Sequence, residues 1–105
     1  MTWVDLGPDD LADGDLRKTR AGDLALGLAR AAGRTHVFEA WCTHAECPLT
    51  DGWLEGAAVR CACHGALFDL ESGAPLEGPA DEPIRVFAAR TTAGRLQAQL
   101  LATDT

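Results

Sequence analysis

Two short segments rich in cysteine and histidine constrain this chain more than any other feature. The first reads CTHAEC and the second CACHG, and together they contain all four cysteines and two of the three histidines in 105 residues. Side chains of these types bind metal ions when a fold brings them together. The six candidate ligands are Cys42, His44, Cys47, Cys61, Cys63 and His64.

The spacing within each segment indicates one loop with two donor types. Cys42-x-His44 and Cys61-x-x-His64 each offer a thiolate and an imidazole, and Pro48 and Gly65, which favour turns, follow them. Each segment also follows a predicted strand, THVFEAW or AAVRC, so a rigid scaffold can hold the two loops side by side. The pattern therefore predicts a site with two sulfur and two nitrogen ligands.

The beginning of the chain bears on what the cysteines do. It reads MTWVDLGPDDLADGD, which is acidic where a secretory signal is basic and then apolar. We therefore expect a cytoplasmic protein. Four cysteines in that setting favour metal or redox chemistry over a secreted disulfide framework.

Most segments between glycines and prolines have the length of a β-strand, about five to eight residues. DLALGLARAAG is ambiguous because Leu and Ala favour helix, but alternation at Leu24, Leu26 and Leu28 together with Gly27 favours a strand. PDDLADGD can form one helical turn capped by Asp9 or Asp10. The predicted strands, which suit antiparallel meanders, are LRKTRAG, DLALGLAR, THVFEAW, AAVRC, PIRVFAAR and RLQAQL.

Length and charge limit the domain count and the partners. A chain of 105 residues is the size of one domain, and we take residues 1–105 as one. Acidic residues outnumber basic ones 16 to 9, so the formal charge is -7. This charge repels phosphate backbones and anionic membrane surfaces, so we expect neither nucleic acid nor membrane as a partner.

These motifs resemble those of the Rieske iron-sulfur proteins. CTH and CHG match the cores of the family's two loops, LFD follows as in many Rieske ferredoxins, and GPADEP resembles the proline-containing loop that covers the cluster. The resemblance implies an all-β fold, a Rieske-like antiparallel β-sandwich with a small cluster-binding subdomain. That subdomain would span about residues 42–68, with the proline loop at about 78–83 as its cover.

The resemblance also implies a cofactor and its ligands. One 2Fe-2S cluster would be held by Cys42 and Cys61 on one iron and by His44 and His64 on the other. Neutral imidazoles in place of thiolates raise the reduction potential. A structural zinc ion bound by the same four residues is the chemical alternative. His36 lies outside both motifs and is predicted to be an ordinary strand residue.

Cys47 and Cys63 remain after the four ligands are assigned. Rieske proteins of respiratory and photosynthetic cytochrome complexes have cysteines at these places and join them by a disulfide, whereas many Rieske ferredoxins of oxygenase systems lack both. By that resemblance Cys47 and Cys63 are bonded. The alternative is a pair of thiols kept reduced in the cytoplasm.

Two residues depart from the high-potential pattern. Those proteins place Ser directly after the second CHG and Tyr two residues later, whose hydroxyls donate hydrogen bonds to sulfur; this chain has Ala66 and Phe68. We therefore expect a low-potential centre.

The resulting expectation is a monomeric ferredoxin, an electron carrier and not itself an enzyme. It would accept one electron from a flavin-dependent reductase and pass it to an oxygenase or another terminal oxidoreductase. One alternative is a small Rieske subunit held permanently in a larger oxidoreductase such as nitrite reductase. The other is a zinc-bound structural module.

Overall fold

Strands dominate the computed structural model, which describes residues 2–42, 47–79 and 82–100. A three-residue 3-10 helix spans Leu49–Asp51. Within the described ranges, no helix has the length and apolar character needed to cross a membrane. The strands are β1 Thr2–Pro8, β2 Leu16–Ala21, β3 Leu24–Ala31, β4 Arg34–Glu39, β5 Trp53–Glu55, β6 Ala58–Arg60, β7 Leu67–Asp69, β8 Pro75–Glu77, β9 Val86–Phe87, β10 Ala89–Thr92 and β11 Arg95–Leu100.

The strands form three antiparallel sheets, which confirms the all-β prediction. The first has the order β1-β11-β10 and joins the two ends of the chain, with Val4 opposite Ala98. The second has the order β2-β3-β4-β9, and the third, β5-β6-β7-β8. The third sheet carries the second cysteine-containing loop, which joins β6 to β7.

The two central strands of the second sheet, β3 and β4, are buried on both faces. Neighbouring residues of a strand point to opposite faces, so β3 and β4 contribute to two cores. Leu26, Leu28 and Val37 pack with residues of β11 in one hydrophobic cluster, while Ala29 and Phe38 belong to the cluster that contains the cysteines. The alternating leucines therefore belong to a strand, as predicted.

Gly27 allows this second core to pack. A Cβ at Gly27 would lie 2.5 Å from Cζ of Phe38, closer than any van der Waals contact. Phe38 is fully buried, so its ring has no room to withdraw. The absence of a side chain at Gly27 lets the ring lie across β3.

The structure corrects two details of the strand and helix predictions. PDDLADGD forms no helical turn; instead, the Asp9 carboxylate accepts hydrogen bonds from the hydroxyls of Thr35 and Thr91, which hold this segment against the strands. PIRVFAAR is two strands, because the chain passes from the second sheet at β9 to the first sheet at β10.

Candidate metal centre

The first cysteine-containing loop is closed by a short antiparallel contact. Trp41 forms an isolated bridge with Pro48, and the Cys42 amide donates to the Cys47 carbonyl at 2.9 Å. Cys42 and Cys47 therefore lie side by side at the base of the loop. The predicted ligand His44 falls within residues 43–46, outside the described residues.

The second loop begins directly after β6 and closes on itself. The Cys61 amide donates to the Ala66 carbonyl at 2.7 Å, and the Gly65 amide donates to the Cys61 carbonyl at 3.1 Å. Gly65 has a φ of 78°, in the left-handed region where glycine is favoured. Cys61 is buried and His64 is exposed, so the loop presents a sulfur inward and an imidazole outward.

A disulfide joins the two loops. Cys47 and Cys63 are bonded, with Cα atoms 6.4 Å apart and a sequence separation of 16, as the resemblance implied. The Cys61 sulfur lies within 4.8 Å of both sulfurs of this bond. Of these three cysteines only Cys61 keeps a thiol, because a disulfide consumes the other two. A metal group here therefore depends on Cys61 and on donors other than Cys47 and Cys63.

The donor set fits an iron-sulfur cluster with one buried and one exposed side. Cys42 and Cys61 are both outside the disulfide, and both are buried within one hydrophobic cluster. Buried thiolates suit iron, which stabilises their charge, while the exposed His64 offers an imidazole at the surface. The assignment of individual ligands remains a prediction.

Gly78 brings the proline loop into contact with the second loop. A Cβ at Gly78 would lie 2.6 Å from the Ala66 Cα, and the Gly78 φ is 91°. Pro79 and Pro83 are exposed, and Ala80 and Asp81 lie outside the described residues. The described end of the proline loop therefore packs against the second loop, and its role as a cover stays a prediction.

Ala66 and Phe68 lie immediately behind the second loop and are fully buried. The Ala66 carbonyl is the acceptor for the Cys61 amide, so Ala66 is part of the loop closure. Neither side chain carries a hydroxyl. The second loop thus lacks the two donors that the high-potential pattern places at these positions.

Arg60 is a residue that the sequence analysis missed. Its guanidinium donates to the Gly65 carbonyl at 2.7 Å and forms ion pairs with Glu55 and Glu77. Hydrogen bonds from Arg60 and from the Trp53 indole lower the pKa of Glu55 to about 2. The available signal was Arg60's place directly before Cys61 in a chain with few basic residues.

His36 lies in β4, outside both loops. It is buried, and the cost of burying a charge lowers its pKa, as does the positive charge of Arg34. The structure thus places His36 in a strand, as predicted.

Comparison with known proteins places most of the chain in one family. The model of the Rieske [2Fe-2S] domain matches residues 2–88. The chain is 28% identical over 96 residues to the anthranilate 1,2-dioxygenase ferredoxin subunit of Burkholderia cepacia, covering 90% of this chain and 89% of that protein. It is 30% identical over 88 residues to Ferredoxin CarAc of Metapseudomonas resinovorans, covering 83% of this chain and 82% of the relative.

Solved structures show the same likeness. The Sphingomonas yanoikuyae B1 ferredoxin has a TM-score of 0.89 at 25% identity, covering 95% of this chain and 100% of that chain. A chain in the complex of reduced oxygenase and oxidized ferredoxin in carbazole 1,9a-dioxygenase has a TM-score of 0.84 at 28% identity, with 91% of each chain covered. The arrangement of sheets and loops is therefore one that known ferredoxins share.

Proposed function

The chain belongs to the Rieske [2Fe-2S] domain family, and we propose that it is a low-potential ferredoxin that carries single electrons from a reductase to a terminal oxygenase or a similar enzyme. The observation that carries this proposal is a pair of buried thiols, Cys42 and Cys61, that share one hydrophobic cluster with Ala66 and Phe68, neither of which has a hydroxyl. Relatives of nearly the same length are ferredoxin components of dioxygenase systems. In this role the chain is a carrier and not itself a catalyst.

We assign four ligands: Cys42 and Cys61 on one iron, His44 and His64 on the other. When bound, the cluster supplies a centre that takes up and releases one electron. The chain's own residues hold the thiol side within the core and leave His64 at the surface. This arrangement puts the imidazole side of the site where a partner protein can approach.

Replacing ligands tests that assignment. We expect Cys61→Ala and His64→Ala to abolish or alter the native cluster, whereas His36→Gln, a change at a histidine outside the loops, should keep it. Iron and sulfide content with visible and electron paramagnetic resonance spectra measure the result. Unaltered spectra in both ligand variants would exclude the assignment, and colourless wild-type protein containing zinc would favour the structural module.

The relatives support an oxygenase as partner, since one of them lies in a complex of oxygenase and ferredoxin. We propose a flavin-dependent reductase as donor, an oxygenase as acceptor, a monomeric state and a cytoplasmic location, where reduced nicotinamide is available. A formal charge of -7 disfavours nucleic acid and anionic membranes as partners. We also propose that residues 1–105 form one domain, in keeping with the second sheet's contribution to both hydrophobic clusters.

Reduction by nicotinamide through a flavin reductase tests the carrier role. The protein should bleach when reduced nicotinamide and reductase are both added, and it should regain colour when a dioxygenase terminal component and substrate follow. Size-exclusion chromatography of extract from the source cells distinguishes the carrier from a permanent subunit. Elution at the monomer volume supports the carrier, and elution only within a large complex contradicts it.

A further inference from the structure

The structure assigns to Arg60 a role that rests on the function proposed above. We propose that Arg60 is a positioning residue, whose guanidinium holds the Cys61–Gly65 loop in the shape that binds the cluster. The described hydrogen bonds of Arg60 go to the Gly65 carbonyl and to the Glu55 and Glu77 carboxylates. It acts through the backbone that carries Cys61 and His64.

The hydrogen bond to Gly65 is the first step of the argument. The loop is closed by two backbone bonds, from the Cys61 amide to the Ala66 carbonyl and from the Gly65 amide to the Cys61 carbonyl. A further bond runs from Arg60 Nη1 to the Gly65 carbonyl at 2.7 Å. Arg60 thus holds the peptide between Gly65 and Ala66, one residue beyond His64.

The guanidinium is itself held from two strands. Glu55 on β5 pairs with it through two hydrogen bonds, and Glu77 on β8 lies 3.5 Å from Nη2. The Arg60 side chain is only 19% exposed, against 50% for Arg95 in its ion pair with Asp5. A planar guanidinium with five donors can serve these three acceptors at once. The second loop is therefore tied to both outer strands of the third sheet.

The same contacts bring one positive and two negative side chains together beside the second loop. One guanidinium lies between two carboxylates, so removing Arg60 leaves two negative charges there, and removing Glu55 leaves one positive and one negative charge. Reduction adds negative charge to the site, which cations favour. The potential should therefore fall in Arg60→Gln and rise in Glu55→Gln.

Three variants separate geometry from charge. Arg60→Gln removes the positive charge and the hydrogen bonds of the guanidinium. Arg60→Lys keeps the charge, but a lysine side chain cannot reach Gly65, Glu55 and Glu77 together. Arg95→Gln breaks a two-bond ion pair of the first sheet, far along the chain from the loops, and serves as the matched control. Cluster loss is followed by the decay of visible absorbance in the presence of an iron chelator, and electron paramagnetic resonance records the ligand geometry.

We expect Arg60→Gln to lose its cluster about 10- to 100-fold faster than wild type, matching the loss of metal affinity that follows when partners orienting metal ligands are mutated. The rate of cluster loss in Arg60→Lys should lie between those of Arg60→Gln and wild type, and Arg95→Gln should match wild type. The g values of both Arg60 variants should shift. Decay of both Arg60 variants at the wild-type rate with unchanged g values would overturn the inference. If Arg60→Gln does not fold, the Arg60→Lys rate decides alone by the same criterion.

The wild-type measurement separates this inference from the proposed function. Wild-type protein that binds no iron and sulfide would overturn both. A loaded wild type with unaffected Arg60 variants would overturn only the role of Arg60.

Discussion

Gly78 lies directly against Ala66, so close that a Cβ on Gly78 would come 2.6 Å from the Ala66 Cα. This contact joins the proline loop to the second ligand loop. Gly78→Ala should push the proline loop off the site and open it to solvent. We expect faster cluster loss to a chelator, measured by the decay of visible absorbance.

Gly94→Ala is the control for Gly78→Ala. Gly94 also has a positive φ, 75°, but a Cβ there would meet no atom within 4 Å. Gly94→Ala therefore adds backbone strain similar to that of Gly78→Ala, but without the steric clash. Equal rates of cluster loss in the two variants would show that the contact with Ala66 does not protect the site.

The disulfide should slow the loss of the cluster. A bond that closes a loop of this size contributes roughly 3 kcal/mol in the chain-entropy model, but cluster ligation constrains the same loops and reduces the gain. We expect the double variant Cys47→Ser and Cys63→Ser to bind iron and to lose it faster than wild type. The state of the bond itself is measured by thiol titration of unfolded, unreduced protein after cluster removal. Two thiols confirm the bond in solution, and four contradict it.

Hydroxyl groups introduced behind the second loop should raise the reduction potential. A donor to sulfur stabilises the added negative charge of the reduced centre, and neither Ala66 nor Phe68 supplies one. Ala66→Ser combined with Phe68→Tyr should shift the midpoint upward by voltammetry. Ala62→Ser, at an exposed position of the same loop, is the control and should leave it unchanged. A midpoint identical to wild type in the double variant would mean that its hydroxyls do not act on sulfur.

His36 should make stability depend on pH. Burial lowers its pKa below the ordinary 6.5, so as pH falls through 6.5 the unfolded chain takes up a proton before the folded one does. The free energy of unfolding therefore decreases as the pH falls below 6.5. Above pH 6.5 His36 causes no such loss of stability. His36→Gln should lose less of its thermal midpoint between pH 7 and about pH 5 than wild type. Parallel curves for the two proteins would contradict the assignment.

Alternation in the sequence predicted the strands that pack against a core. Leu24, Leu26 and Leu28 alternate because one face of β3 contacts the first sheet, and this period is visible in the letters alone. Three-residue strands such as β5, β7 and β8 show too few positions for any period. They exist because neighbouring strands pair with them.

The sequence predicted which residues could bind a metal group, but not the side-chain contacts that hold the second loop. The cysteine and histidine spacing indicated the two loops, and resemblance to a family indicated which cysteines pair. The contacts of Arg60 include Glu77, which is 17 residues away in sequence, and pairing within the third sheet brings the two side chains together. The helical turn predicted at Asp9 failed for the same reason, because its partner Thr91 is 82 residues away.

Voltammetry of the wild-type protein at neutral pH tests the central claim most directly, since it detects the redox centre and its potential together. Rieske centres span about -150 to +300 mV, and the buried Ala66 and Phe68 supply no hydroxyl donor to raise the value. We predict a reversible one-electron couple in the lower part of that range, suited to reduction by nicotinamide through a flavin. The absence of a one-electron couple, or a midpoint in the upper part of the range, would contradict the account.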